Sequence, residues 1–186
     1  AEIVVEWLDD SRVDFIRIDV SDTQKAIDIM CGYDVVMDGT PISVNNRSTT
    51  CIAKAGVHGI NLNGMSKEWE FDAQFKRNAK TCVPGFGMTP GITNMMVKYA
   101  ADKLETVEEI YISHGAFRPI AFSPAIAETT IVEYDPHLDS RLVYEDGEFV
   151  QAPPFARPKM IDLPKPYGAH LQYIIPHPET ETLAKS

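Results

Sequence analysis

Tyr33-Asp34-Val35-Val36-Met37-Asp38-Gly39-Thr40-Pro41 sets β-branched residues between acids and ends on Gly, Thr and Pro. It reads as a strand over residues 34–39 whose glycine lets a ligand approach the backbone and whose proline fixes the exit. Upstream, residues 13–20 read as another strand. Ser21 or Asp22 then caps a helix that runs to Gly32, with the glycine just past its end. Downstream, a helix over 45–55 stops at Gly56, and residues 57–62 read as a strand. A helix over 66–78 carries Trp69 and Phe75 on its apolar side, and 79–83 is a short strand. A helix over 1–8 opens the chain. Strands alternating with helical stretches predict a parallel sheet wrapped by helices.

The style changes at residues 84–91, since ten of the 13 prolines lie beyond residue 118. Thr89-Pro90 reads as an N-cap followed by the first residue of an amphipathic helix, with Ile92, Met95, Met96, Tyr99, Ala100 and Leu104 on one face. Residues 107–114, 127–134, 142–144 and 149–150 read as strands, with Glu145-Asp146-Gly147 as a turn. Short connections favour antiparallel pairing among them. Residues 151–186 read as loop-rich.

Across 186 residues, 17 Lys and Arg face 27 Asp and Glu, a net charge of −10 that argues against a nucleic-acid partner. With 44% apolar residues the chain has material for a globular core. No apolar run approaches the roughly 18 residues of a membrane span, and Ala1 to Asp10 lacks a basic, apolar leader. Cys31, Cys51 and Cys82 form no CxxC pair, so buried reduced thiols and a cytoplasmic setting are expected. The five histidines show no metal-binding spacing, and no metal is expected.

Three strand ends carry polar or small residues: Asp19-Val20-Ser21-Asp22, Asp38-Gly39-Thr40-Pro41 and Asn61-Leu62-Asn63-Gly64. Carboxyl ends of parallel strands are where open α/β sheets bind ligands, although capped loops look the same in sequence. Gly85-Phe86-Gly87-Met88-Thr89-Pro90-Gly91 is glycine-rich but has neither the spacing nor the position of a dinucleotide fingerprint. It reads either as a site where helix amides meet an anion or as a hinge between domains. His177-Pro178-Glu179-Thr180-Glu181-Thr182 reads first as a solvated loop and second as a catalytic segment.

The segments 33–41, 55–62 and 85–94, in order, resemble the saccharopine dehydrogenase and lysine 6-dehydrogenase-like family. Phe122-Ser123-Pro124, the turn at Gly147 and His177-Pro178-Glu179-Thr180 continue the resemblance over nearly the whole chain. It implies an oxidoreductase that uses NAD or NADP on a carbon–nitrogen bond of an amino-acid-derived substrate, and a homodimer. The implied fold is a partial Rossmann-like parallel sheet over residues 1–84, followed by an α+β domain with a mixed or antiparallel sheet over 85–186. By the same resemblance Asp19, Val20, Gly39, Thr40, Pro41, Asn61 and Leu62 line the cofactor. Gly87, Thr89, Pro90, Gly91, Asn94 and Arg118 meet the substrate, with Arg118 suited to a carboxylate. His114 is the choice for acid–base catalysis. Many relatives carry an acid where this chain has Thr89, and the family's opening Gly-rich strand–loop–helix does not occur in these residues. That unpaired sheet edge predicts a longer polypeptide or tight self-association. The alternative is a catalytically inactive dimerisation or interaction module.

Overall fold

A computed structural model describes residues 1–63, 68–115, 123–138 and 141–185. The elements are α1 (Glu2–Leu8), α2 (Thr23–Met30), β1 (Val35–Asp38), α3 (Ile42–Ala55), β2 (His58–Asn61), a 3-10 turn (Glu68–Phe71) running into α4 (Asp72–Arg77), and β3 (Cys82–Val83). Then come α5 (Ile92–Ala101), α6 (Pro124–Glu133), β4 (Leu142–Glu145), β5 (Glu148–Gln151), β6 (Lys159–Leu163), β7 (Gly168–Gln172) and α7 (Glu179–Ala184). The first three strands form a parallel sheet in the order β1-β2-β3. Two antiparallel hairpins, β4 with β5 and β6 with β7, follow. This is a mixed α/β architecture compatible with a partial Rossmann-like fold.

The core lies on one face of the parallel sheet. Ala26 and Met30 of α2, Cys51, Ile52 and Ala53 of α3, Phe75 of α4, and Val57 just before β2 are buried together, with Val36 and Cys82 packed against them. Gly59 lets α3 press close: a Cβ there would lie 3.0 Å from the Cys82 sulfur and 3.1 Å from Cγ2 of Ile52. Val35 and Met37, on the opposite face of β1, are exposed. Local signals end the helices. Asp22 accepts from the Lys25 amide at the start of α2, and Gly56 closes α3 with a φ of 68°. Asp146 and Gly147, both at positive φ, make the tight β4–β5 turn.

Several expectations are corrected. Residues 127–134 are not a strand but most of α6, because Ser123 caps it through the Ile126 amide and Pro124 occupies the first turn. The cap outweighs the β-propensity of Thr129, Thr130, Ile131 and Val132. Among the described residues, 13–20 and 107–114 form no strand. The latter lies where the Lys159 ammonium sits 3.5 Å over the Tyr111 ring. The stretch after 151 holds the β6–β7 hairpin and α7 and is not loop throughout. Cys51 is buried, and burial pushes its thiol pKa up, but Cys31 is exposed. Among the described residues no helix is long and apolar enough to cross a membrane.

Ile52 is fully buried where α3 meets the sheet. Ile52→Ala is expected to lower stability by about 3 kcal/mol, read as a shifted midpoint in urea with an unchanged slope.

Candidate functional site

At the carboxyl ends of β1 and β2 the chain buries a polar network. Asp38 accepts from the Thr40 amide at 2.9 Å and the Thr40 hydroxyl at 2.7 Å. Its other oxygen accepts from Asn45 of α3 at 3.3 Å. Asn45 and Asn61 exchange amide hydrogen bonds, each at 3.0 Å, and Asn61 also donates to Thr49 at 2.9 Å. The Asn63 amide returns to the Asn61 side chain at 2.8 Å. Both strand exits are therefore bent by a side chain that holds its own backbone two residues on. Asn45 couples the two bends, and every buried amide in the cluster is partnered, as burial requires.

The glycine-rich loop attaches to this edge. Phe86 donates its amide to the Asn61 carbonyl at 3.0 Å, and Gly85 donates to the Asn63 carbonyl at 3.2 Å. The loop then closes on itself. The Gly87 amide donates to the Pro90 carbonyl at 2.7 Å, and the Ile92 amide donates to the Gly87 carbonyl at 3.0 Å. Gly91 has a φ of 123°, and a Cβ on it would lie 2.2 Å from the Gly87 carbonyl oxygen. Only glycine fits there. The helix consequently starts at Ile92, with Gly91 as its N-cap, and not at Pro90 as the sequence suggests. Asn94 accepts from the Gly91 amide at 3.2 Å.

The third part arrives from the far end of the chain. Glu179, only 5% exposed, accepts from the hydroxyls of Thr89 and Thr93, each at 2.6 Å. Its second oxygen contacts Nδ1 of His177. Asn94 donates to the Thr182 hydroxyl at 2.7 Å, a second rung between α5 and α7. Burial pushes the Glu179 carboxyl up, but the hydrogen bonds from His177, Thr89 and Thr93, together with the electrostatic pull of His177, outweigh it. They hold the group at about 2. The His177 ring meets the His114 ring edge-on, with centroids 5.5 Å apart.

The residues singled out from sequence fare differently. Gly39 and Leu62 are neighbours: a Cβ on Gly39 would lie 3.5 Å from Cδ1 of Leu62. Thr40 and Asn61 join through the network, with Asn61 fully buried in it, and Pro41 is the N-cap of α3. Gly87, Thr89, Pro90, Gly91 and Asn94 form the loop and first helical turn, where the Thr89 and Asn94 side chains have partners within the chain. His114 reaches the cluster through His177. Asp19 stays in its own exposed turn, where hydrogen bonds from the Ser21 hydroxyl and amide hold its carboxyl below the usual range, and Val20 follows it half-buried. Arg118 lies outside the described residues. The segment read first as a solvated loop is corrected: Glu179 is buried and the His177 side chain is 22% exposed. Sequence reading missed Asn45 and Thr93 as site builders.

No known family profile matches the chain. Among solved structures, the fold is similar to apo saccharopine dehydrogenase (L-Glu forming) from Saccharomyces cerevisiae, with a TM-score of 0.58 and 14% identity over 86% of this chain. The matched region is 39% of the length of that enzyme. The likeness supports a distant fold relationship.

Glu179 has a folded-state value of about 2 against an ordinary 4.5, so its contribution is complete above pH 4.5 and lost as pH falls toward 2. That contribution is on the order of 2–3 kcal/mol. Urea unfolding followed from pH 5 to pH 2 is expected to show this loss in the native chain and a much flatter profile in Glu179→Gln.

Proposed function

We propose that these residues belong to an NAD(P)-dependent oxidoreductase acting on a CH–NH or CH–NH2 group of an amino-acid-derived substrate. In this reading residues 1–84 are part of a dinucleotide-binding domain. Residues 85–186 are an incomplete substrate-binding and dimerisation domain of a cytoplasmic homodimer. One observation carries it: the strand exits, the glycine loop and the His177–Glu179 pair converge through two links. These are the Phe86 amide on the Asn61 carbonyl and the Thr89 hydroxyl on Glu179. The convergence lies at the carboxyl edge of a parallel sheet, where open α/β folds bind ligands. The fold likeness to a saccharopine dehydrogenase supports the same class.

The described edge suits only part of a dinucleotide. Gly39, Pro41, Leu62 and Phe86 are exposed there and offer small and apolar surface to a flat ring. The amides of Thr40, Leu62 and Asn63 already donate to Asp38 and Asn61. These residues would wall the nicotinamide end, and a diphosphate would need donors from elsewhere. When bound, the cofactor supplies or accepts a hydride. The chain's part is to hold the loop rigid, present the substrate and handle the proton. Thr89 and Asn94 shape the floor through their internal partners, and Arg118 is proposed for a substrate carboxylate.

A second reading is an inactive dimerisation module. It is favoured by the exposed apolar face of α5, where Met95, Met96 and Tyr99 are 57%, 65% and 68% exposed. Large apolar patches of this kind mark interaction surfaces.

Mixing the chain with NADH or NADPH is expected to raise and blue-shift the nicotinamide fluorescence, and supplying oxidised NAD or NADP with saccharopine or lysine is expected to give turnover. Unchanged fluorescence together with a dimer in light scattering would instead favour the module.

A further inference from the structure

We propose that His177 is the acid–base group of this site and that Glu179 is its positioning residue, presenting Nε2 of the imidazole to a substrate nitrogen. The proposal of a substrate nitrogen rests on the oxidoreductase reading above, whereas the geometry of the pair does not.

A carboxylate as buried as Glu179 keeps its charge only where donors surround it. Here the Thr89 and Thr93 hydroxyls both reach Oε1, which leaves Oε2 for the imidazole. An ionised carboxylate only accepts hydrogen bonds, so Nδ1 of His177 carries the proton toward it. In the neutral ring the lone pair then sits on Nε2. This is the arrangement in which a carboxylate fixes an imidazole's tautomer and orientation and stabilises the imidazolium.

The pair is held on all sides. Pro176 and Pro178 flank His177 and are both buried, so the backbone around the ring has little freedom. Thr93 stands in the first turn of α5, and Thr89 in the loop closed by Gly87 and Gly91. The Asn94–Thr182 bond prevents α7 from sliding along α5. The ring nevertheless keeps 22% exposure, so a ligand can reach it. His114, the residue chosen from sequence, packs against this ring edge-on and so forms part of its wall.

The proton balance is simple. In reduction His177 enters as imidazolium. As the imine carbon receives a hydride from reduced nicotinamide, the imine nitrogen takes the Nε2 proton, leaving an amine and a neutral imidazole. In oxidation the amine nitrogen gives its proton to Nε2 as the hydride departs to oxidised nicotinamide. Glu179 stays ionised throughout and exchanges no proton.

The test is the imidazole tautomer in the 15N-labelled chain, from long-range 1H–15N correlation, with His177 assigned by the signal missing in His177→Gln. A neutral His177 ring protonated at Nδ1, turning to Nε2–H or a mixture in Glu179→Gln, supports the proposal. A wild-type ring protonated at Nε2 overturns it. So does a tautomer indifferent to Glu179→Gln. The wild-type spectrum decides even where that variant does not fold, and Glu179→Asp, which is expected to keep the Nδ1–H ring, is the second variant. With saccharopine and oxidised NAD or NADP, His177→Gln is expected to lower kcat about 100-fold or more while KM stays within about twofold. An unchanged kcat overturns the catalytic role. An Nδ1–H ring in a chain that binds neither NADH nor NADPH would remove the oxidoreductase reading and leave the pair standing. Nicotinamide binding with an Nε2–H ring would do the reverse.

Discussion

A carboxylate taken out of water has to be surrounded by donors or give up its charge, and Glu179 meets that condition with groups drawn from two distant parts of the chain. Thr89 lies 90 residues before it and Thr93 lies 86. Closing loops of that length is entropically unfavourable, although the penalty grows only slowly with length. Removing one donor would leave a charge buried and underpaired, the expensive case. The position of α7, the first turn of α5 and the orientation of His177 all depend on this one group.

A second polar anchor sits at the sheet. The Asp38–Asn45–Asn61 network bends both strand exits and ties them to α3, so the loops at 39–41 and 62–63 cannot move separately. The two anchors communicate by backbone: Phe86 hydrogen-bonds the Asn61 carbonyl, and three residues later Thr89 reaches Glu179. The closed glycine loop makes that short connection stiff. A ligand at the sheet edge and a proton-handling group at His177 would thus be held at a fixed separation, which catalysis by orientation demands.

Much of the first half was legible because its signals are local. Asp22 as a cap, Gly56 as a stop and the Val-rich run at β1 each act within a few residues, and the parallel α/β class follows from their alternation. The second half misled where two local signals compete. At residues 123–133, Ser123 and Pro124 promote a helix while Thr129 to Val132 promote a strand, and nothing nearby tells which prevails. Residues 107–114, which form no strand, show that a run of β-formers does not by itself make one. The candidate site was half legible. Glycines and polar strand ends announce themselves, and Gly87, Thr89, Gly91 and Asn61 do lie on one continuous path. Glu179 was read first as solvated, because an acid in a Pro- and Thr-rich tail looks so until its partners, 86 and 90 residues away, are placed around it.

The most direct test of this account is the titration of the Glu179 side-chain carboxyl itself, followed by its 13C shift in the native chain. A midpoint at about 2 is expected, set by the donors that outweigh burial. A midpoint at the ordinary 4.5 would mean that Thr89, Thr93 and His177 do not enclose an ionised carboxylate, and the organisation described around it would not stand.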